Sequence, residues 1–411
     1  MGILSGDDKL DKASQPASDN TGVRRYNERL VLQALRKARG LSKAELSRVL
    51  GLSSQAILRI VDDLEKSGLV INKGRRFGSR GQPSIIYDLN PMGSFSIGAH
   101  IGRRSLELVL TNFLGETIKS SSTNHDFPEP DKMIRKISAF VDRQRALPMV
   151  RRSDLLGLGV AMPWFISGWH DKLAVKKPQA AVWKASNFDR RLSEITKLPI
   201  IFENDGNAAA LAELFVGQGQ KLNDFIYIYI GTFVGGGIVL DNAVRSGMNG
   251  NAASFASMMV PPSPTGSGNE KQFSSLFERS SIYALEKLYL KSLGKKVSYH
   301  ATPQMISEHP DLAEQWIEDC SHALAFAILN INSVIDVKTV VIDASLPDSM
   351  IADIIHATIT HIRVMRSIEA FAPEILKGSL GRKARVIGSG LLPLHSSFDP
   401  NFGALLKNVL I

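Results

Sequence analysis

Apolar positions along the chain follow two rhythms, helical over the first seventy residues and strand-like after about ninety. From Leu30, apolar residues recur at Val31, Ala34, Leu35 and Ala38, a helical spacing that Gly40 ends. Ser42 followed by Glu45 has the form of a capping box, and the short helix it opens carries Ala44, Leu46, Val49 and Leu50 as far as Gly51. A third helix starts after Ser53, turns Ile57, Ile60, Val61 and Leu64 inward and stops at Gly68. Two short helices joined by a Gly turn predict a helix-turn-helix. LVINKG and PSIIYDLN then read as two strands around GRRFGSRGQP, a hairpin that makes a wing.

From Phe95 the pattern becomes strand-rich. FSIGAHIGRRSLELVLTNFLGE predicts a hairpin whose first turn carries Gly98 and Gly102. LLGLGVAMPWFISG predicts a buried strand and a loop, and LPIIFENDGNAAALAELFVG a strand running through Asn204 and Asp205 into an Ala-rich helix. Tyr227 to Leu240, YIYIGTFVGGGIVL, reads as two apolar strands around a loop with Gly231, Gly235, Gly236 and Gly237. That loop admits two readings. Its backbone N–H groups could wrap a phosphate, or the hairpin could simply need residues that tolerate positive φ.

At 411 residues the chain is long enough for two or three domains. No apolar run reaches the roughly 18 residues a membrane helix needs. The opening MGILSGDDKLDKASQPASDN is polar and lacks an apolar signal core, and Gly6 breaks the myristoylation pattern. Residues 1–23 are expected to be a disordered tail of a cytoplasmic protein. The single cysteine, Cys320, forbids an internal disulfide and fits a reducing compartment. It shares an apolar helical face with Trp316, Leu324 and Ile328, the setting of a core thiol rather than a nucleophile.

Net charge is +9, and its placement is uneven. Residues 24–82 hold fourteen Lys or Arg against five Asp or Glu, so the rest of the chain is close to neutral. Such asymmetry is a footprint for nucleic acid, against the plainer readings of a solvated basic face or a protein-binding winged helix. The third helix would enter the major groove with Ser54, Gln55 and Arg59 outward, Gln suited to adenine and Arg to guanine or phosphate. In the wing, Arg75, Arg76, Arg80 and Gln82 are the candidates for backbone and minor-groove contact. Residues 24–90 are therefore read as a domain that binds double-stranded DNA.

The order of the later pieces, with FENDGNAAALAE as the most specific motif, resembles the ROK family of repressors, open reading frames and kinases. The resemblance implies an α/β fold: an N-terminal winged helix-turn-helix, then an actin-like, sugar-kinase-like two-lobed α/β domain over residues 91–411. It also supplies tests of kinase activity. Phosphoryl transfer depends on positioned phosphate loops. Where family kinases read like DIGGTK this chain reads HIGRRS, with His100 at the Asp, Arg103 at a glycine, Arg104 at the threonine and Ser105 at the lysine. VVIDASLP puts Asp343, Ala344 and Ser345 where glycines face the adenosine, and Phe233 and Val234 are bulkier than is common in the Gly231 loop. NGNAASFASMMV aligns with the ExGH region of the family zinc site, with Ser254 and Ser257 at its Glu and His, and no cysteine follows. The expectation is a chain with no cofactor and no metal, and not an enzyme.

What remains for a small molecule is Asn204 and Asp205. In kinases of the family the Asp is a general base, and in repressors it can accept a hydrogen bond from a sugar. Asp205 could equally be no more than a cap on the Ala-rich helix. Trp164, after MP, could stack on a sugar ring or pack between lobes, and Asn249 and Gly250 complete the candidate ligand set. The resulting expectation is a transcriptional regulator, a repressor of carbohydrate or polyol genes, that senses a small sugar or polyol, forms a homodimer or homotetramer and has no membrane partner. The alternatives are an active sugar kinase with an attached DNA module, and a regulator governed by a protein partner whose ligand pocket has decayed.

Overall fold

A computed structural model of the chain describes residues 20–76, 83–164, 182–183, 185–264, 272–294, 302–366 and 371–400. The chain divides between Asn90 and Pro91 into two compact units, and among the later described residues 398–400 group with the first.

The first unit packs three helices, α1 (Asn20–Ala38), α2 (Lys43–Leu50) and α3 (Ser54–Lys66), on a three-stranded sheet. Its strands, β1 (Leu41–Ser42), β2 (Val70–Arg76) and β3 (Ser84–Leu89), lie in the order β1-β3-β2. Val31, Leu35, Leu46, Ile57, Val61 and Tyr87 form its buried centre. The capping box at α2 is present: the Glu45 N–H donates to Ser42 Oγ, and the Ser42 N–H donates to Glu45 Oε2 at 2.8 Å. Gly51, in the left-handed region at φ 66°, ends that helix and aims α3. One boundary differs from expectation. Helix α1 begins at Asn20, so residues 20–23 belong to it and not to a tail ending at 23. Its first turns are fixed by polar contacts, with Arg24 bound to Glu28 at 3.0 Å and to Asp63 of α3 at 2.6 Å, which a search for apolar spacing does not detect.

The second unit contains two five-stranded sheets built to one plan. In the first lobe, β4 (Ser94–Ile101), β5 (Ser105–Asn112) and β6 (Thr117–Asn124) form an antiparallel meander. Two parallel strands, β7 (Asp154–Ala161) and β8 (Ile200–Glu203), extend it to the order β6-β5-β4-β7-β8. In the second lobe, β9 (Phe225–Ile230), β10 (Val234–Leu240) and β11 (Ala243–Val244) repeat the meander. A small ribbon of β12 (Met259–Val260) and β13 (Ser274–Ser275) follows, and the parallel strands β14 (Thr339–Ala344) and β15 (Glu374–Lys377) complete the order β11-β10-β9-β14-β15. Helix α4 (Pro130–Arg145) buries Met133, Ile134, Ile137 and Phe140 against the first sheet's Phe95, Ile97 and Leu108. In the second lobe, α5 (Pro310–Ile335) packs its Trp316, Cys320, Leu324 and Ile328 face with Ile226, Ile228 and Ile342. Burial among these groups pushes the Cys320 thiol up to about 12, so it is an inert core residue at neutral pH.

Two glycine positions are explained by backbone packing. Gly98 lies inside β4, not in the turn after it, because a Cβ there would meet the backbone nitrogen of Gly390 at 2.3 Å. The Gly235–Gly237 run lies within β10 and not in an open loop. Against it packs the Ala-rich helix α6 (Asp205–Val216), where a Cβ on Gly206 would meet the carbonyl oxygen of Gly236 at 2.3 Å. These glycines let a helix and a strand touch backbone to backbone.

Candidate functional site

In the first unit, the Ser53 side chain caps α3 by accepting from the Ala56 N–H at 3.2 Å, and this sets where the helix begins. Ile57, Ile60, Val61 and Leu64 face inward, which leaves Ser54, Gln55 and Arg59 exposed on the outer face. Arg75 and Arg76 are exposed at the end of β2. Arg76 also pairs with Glu45, so one wing cation is tied to the α2 cap. Hydrogen bonds from Ser42, backbone first, and then Arg76 hold the Glu45 carboxyl below its ordinary value. Arg80 and Gln82 lie outside the described residues.

In the second unit a cavity of about 560 Å³ opens at the N-terminus of α6. Asn204 and Asp205 both line it, with Trp164, Arg103, Arg385, Ser254 and Ser257. Asn204 is the helix cap, its Oδ1 accepting from the Gly206 N–H at 2.9 Å. Asp205 is the first helical residue, so the capping role belongs to its neighbour. The Trp164 indole N–H donates to the Gly250 carbonyl, joining two of the expected ligand residues. Asn249 is exposed and stands apart from the cavity, which Asn251 lines instead. Ser254 and Ser257 hydrogen-bond to each other at 3.1 Å.

Asp205 also takes part in a chain of polar and charged groups drawn from distant segments. His100 stands between two carboxylates, its Nδ1 3.1 Å from Glu107 and its Nε2 3.7 Å from Asp205. The second distance is too long for a hydrogen bond. Arg385, on α7 (Ala384–Phe398), lies 3.9 Å from Asp205 and sits over the Tyr229 ring at 4.6 Å from its centroid. Burial pushes the Asp205 carboxyl upward, but His100 and Arg385 outweigh it and hold the group below its ordinary value. Glu107 is held low in the same way, burial being outweighed first by His100.

Beyond Tyr229 the polar network continues into the second sheet. The Tyr229 hydroxyl meets Ser345 Oγ at 2.6 Å, and the Tyr227 hydroxyl donates to Asp343 at 3.2 Å. Asp343 is buried and also accepts from the Gly381 N–H at 2.9 Å and the Ala344 N–H at 2.8 Å. In sequence it stands where the family resemblance expects a glycine. Among the described residues, no group of three or more His, Cys, Asp or Glu is placed to hold a metal ion, and no helix is long and apolar enough to cross a membrane.

The described elements thus form a winged helix-turn-helix followed by a two-lobed domain with paired five-stranded sheets. Residues 24–71 match the winged helix-turn-helix DNA-binding family, and residues 96–395 match the ROK family. The chain belongs to the ROK family. It is 25% identical to the xylose repressor of Bacillus spizizenii over 93% of this chain and 98% of that protein. It is 29% identical to the glucokinase of Halalkalibacterium halodurans over 40% of this chain and half of that enzyme. A crystal structure of a ROK family transcriptional regulator, a homologue of the E. coli MLC protein, superposes with a TM-score of 0.67 at 17% identity, covering 92% of this chain and 98% of that one. A Streptomyces griseus ROK glucokinase with glucose and AMPPNP gives 0.54 at 19% identity over 72% of this chain and 98% of the enzyme. These two likenesses show a shared fold.

Proposed function

We propose that this protein is a DNA-binding transcriptional regulator, a repressor of carbohydrate or polyol genes, whose ROK domain senses an effector without transferring phosphate. The observation that carries the reading is the setting of Asp205. A general base works best when its proton affinity is matched to the working pH, and here His100 at 3.7 Å and Arg385 at 3.9 Å lower the affinity of the Asp205 carboxylate for a proton. His100 stands where the family's kinases carry an acidic residue near magnesium, and Asp343 stands in sequence where they carry a glycine facing the adenosine. The same chain carries outward-facing Ser54, Gln55 and Arg59 on a capped helix, and its full-length relatives include xylose repressors. Two heads from a homodimer or homotetramer would meet a two-fold operator.

The test combines two assays on the full chain. Binding to an operator fragment is measured with and without a panel of sugars and polyols, and ADP release is followed with ATP and the same panel. A panel member that shifts operator affinity, without sustained ADP release, is the expected outcome. Sugar-dependent ADP release abolished by Asp205→Asn would establish the kinase instead.

A further inference from the structure

We infer that the effector of this site is an anionic sugar, a phosphate monoester or a sugar acid, whose charged group seats at Arg103 while its hydroxyls meet the Asn204 side of the cavity. This deepens the proposed sensing role and rests on it. Among the charged side chains of the described residues that line the cavity, Arg103 and Arg385 are cationic and only Asp205 is anionic. Asp205 is already engaged by Arg385 and His100, which leaves the balance of charge at the Arg103 end positive.

The surroundings of Arg103 sharpen the point. Its neighbour Arg104 is clamped by Glu286 through both carboxylate oxygens, at 2.8 and 3.0 Å. Arg103 therefore stands beside a second cation, with Glu286 as the carboxylate whose charge acts on both. Burial first, and then Arg104, lower the Arg103 guanidinium to about 10, so its charge is held in the cavity wall at a cost. A bound carboxylate or phosphate would offset that cost, and a guanidinium fork suits both groups. The neighbouring Phe233 and Phe277 rings form an apolar wall, where reduced screening strengthens the attraction. Hydroxyl-bearing Thr232, Ser254 and Ser257 remain for the polyol part.

The experiment is calorimetric titration of the full chain with glucose, glucose 6-phosphate, gluconate and inorganic phosphate. Arg103→Gln and Arg103→Lys are run beside the head variant Arg75→Ala. At least one of the two anionic sugars should bind about tenfold or more tightly than glucose, and raised salt should narrow the gap. Whichever is the tighter identifies phosphate or carboxylate as the natural group. The preference should fall to within about twofold in Arg103→Gln, lie between in the charge-retaining Arg103→Lys, and persist in Arg75→Ala. Equal affinity for glucose and both anionic sugars overturns the inference and leaves the sensing role standing. A preference lost in Arg75→Ala and kept in Arg103→Gln places the anion on the head and overturns it as well. If none of the four probes binds at millimolar concentration, the inference fails, whereas the sensing role fails only when no sugar or polyol of the wider panel shifts operator affinity. Should Arg103→Gln not fold, a preference undiminished in Arg103→Lys relative to wild type overturns the inference.

Discussion

In the N-terminal unit, Arg59, Arg75 and Arg76 are exposed cations on the surface of a small core, whereas in the ROK domain His100, Asp205 and Arg385 form a chain of groups held inside the protein. Charge serves different ends in the two places. On the surface of the head each cation is hydrated and costs the fold little, so charge can accumulate toward a polyanion. Inside the domain each charge must be answered by another, because desolvation penalises any that is left alone. Substitution of these charges should therefore separate the two regions, stability responding at His100 and DNA affinity at Arg59 and Arg75.

The largest effect is expected at His100, which is buried between Glu107 and Asp205. His100→Asp would set three carboxylates together and should cost about 3 kcal/mol at pH 7, measured by chemical denaturation. Its pH dependence runs opposite to that of the wild-type pair. Glu107 and Asp205 are held below their ordinary values, so the stability they contribute is present above about pH 4 and is lost as pH falls through the depressed values. In the variant at least one carboxyl is raised instead, and the penalty grows as pH climbs from about 4 to 7. A variant as stable as wild type at pH 7 would show that the triad is not a structural unit.

The head should behave in the contrary way. Arg59→Ala combined with Arg75→Ala is expected to leave stability within about 0.5 kcal/mol. Affinity for duplex DNA should fall on the order of tenfold to a hundredfold at physiological salt, and the slope against salt should lose up to about two units. Unchanged binding and an unchanged slope would remove the head from DNA recognition.

The contrast also explains which parts could be read from the chain in advance. Caps and apolar spacing are local, so α2, α3 and the wing strands follow from residues at most four apart, such as Ser42 with Glu45. The meander around HIGRRS and the strand before Asn204 are equally local in origin. Arg385 could not be found that way. Its partners Asp205 and Tyr229 lie more than 150 residues away in the chain, and only the closing of the two sheets brings them together. The carboxylates that flank His100 show both situations, since Glu107 is its cross-strand partner in the β4–β5 hairpin while Asp205 arrives from the far side of the lobe's sequence, at the start of α6. The place of Gly98 escapes local reading for a related reason: the contact that requires it is with Gly390.

A smaller and matched effect is expected at the helix caps. Ser53→Ala in the head and Asn204→Ala in the domain each remove one cap hydrogen bond, and each should cost about 1 kcal/mol. Their functional consequences should diverge, with Ser53→Ala weakening operator binding through a frayed α3 and Asn204→Ala reducing the response to effector. If Asn204→Ala leaves that response intact, the cavity at α6 is not the effector site.

The smallest net effect is expected at Asp343, where two opposing changes nearly cancel. Burial raises this carboxyl, and hydrogen bonds from Ala344, Gly381 and Tyr227 only partly oppose the shift. Glu213 is raised as well, by burial first and, among its smaller causes, by the charge of Asp343. A carboxyl raised in the folded state binds its proton more tightly there than in the unfolded chain. Its contribution to stability is therefore greatest at acidic pH and declines as pH rises from about 4 through the raised value. Asp343→Asn removes the charge, and with it both its own penalty and part of that on Glu213. It also forfeits one acceptor, since an amide oxygen can serve Tyr227 and Gly381 but leaves the Ala344 N–H facing an NH₂ group. The loss of about 1 kcal/mol from that bond should be offset at pH 7 by the relief of charge, leaving the variant within about 1 kcal/mol of wild type. Near pH 4 the relief vanishes and the lost bond remains, so the variant should be the less stable of the two. Denaturation midpoints that keep the same separation from pH 4 to pH 7 would mean that Asp343 is not charged at a cost within the second sheet.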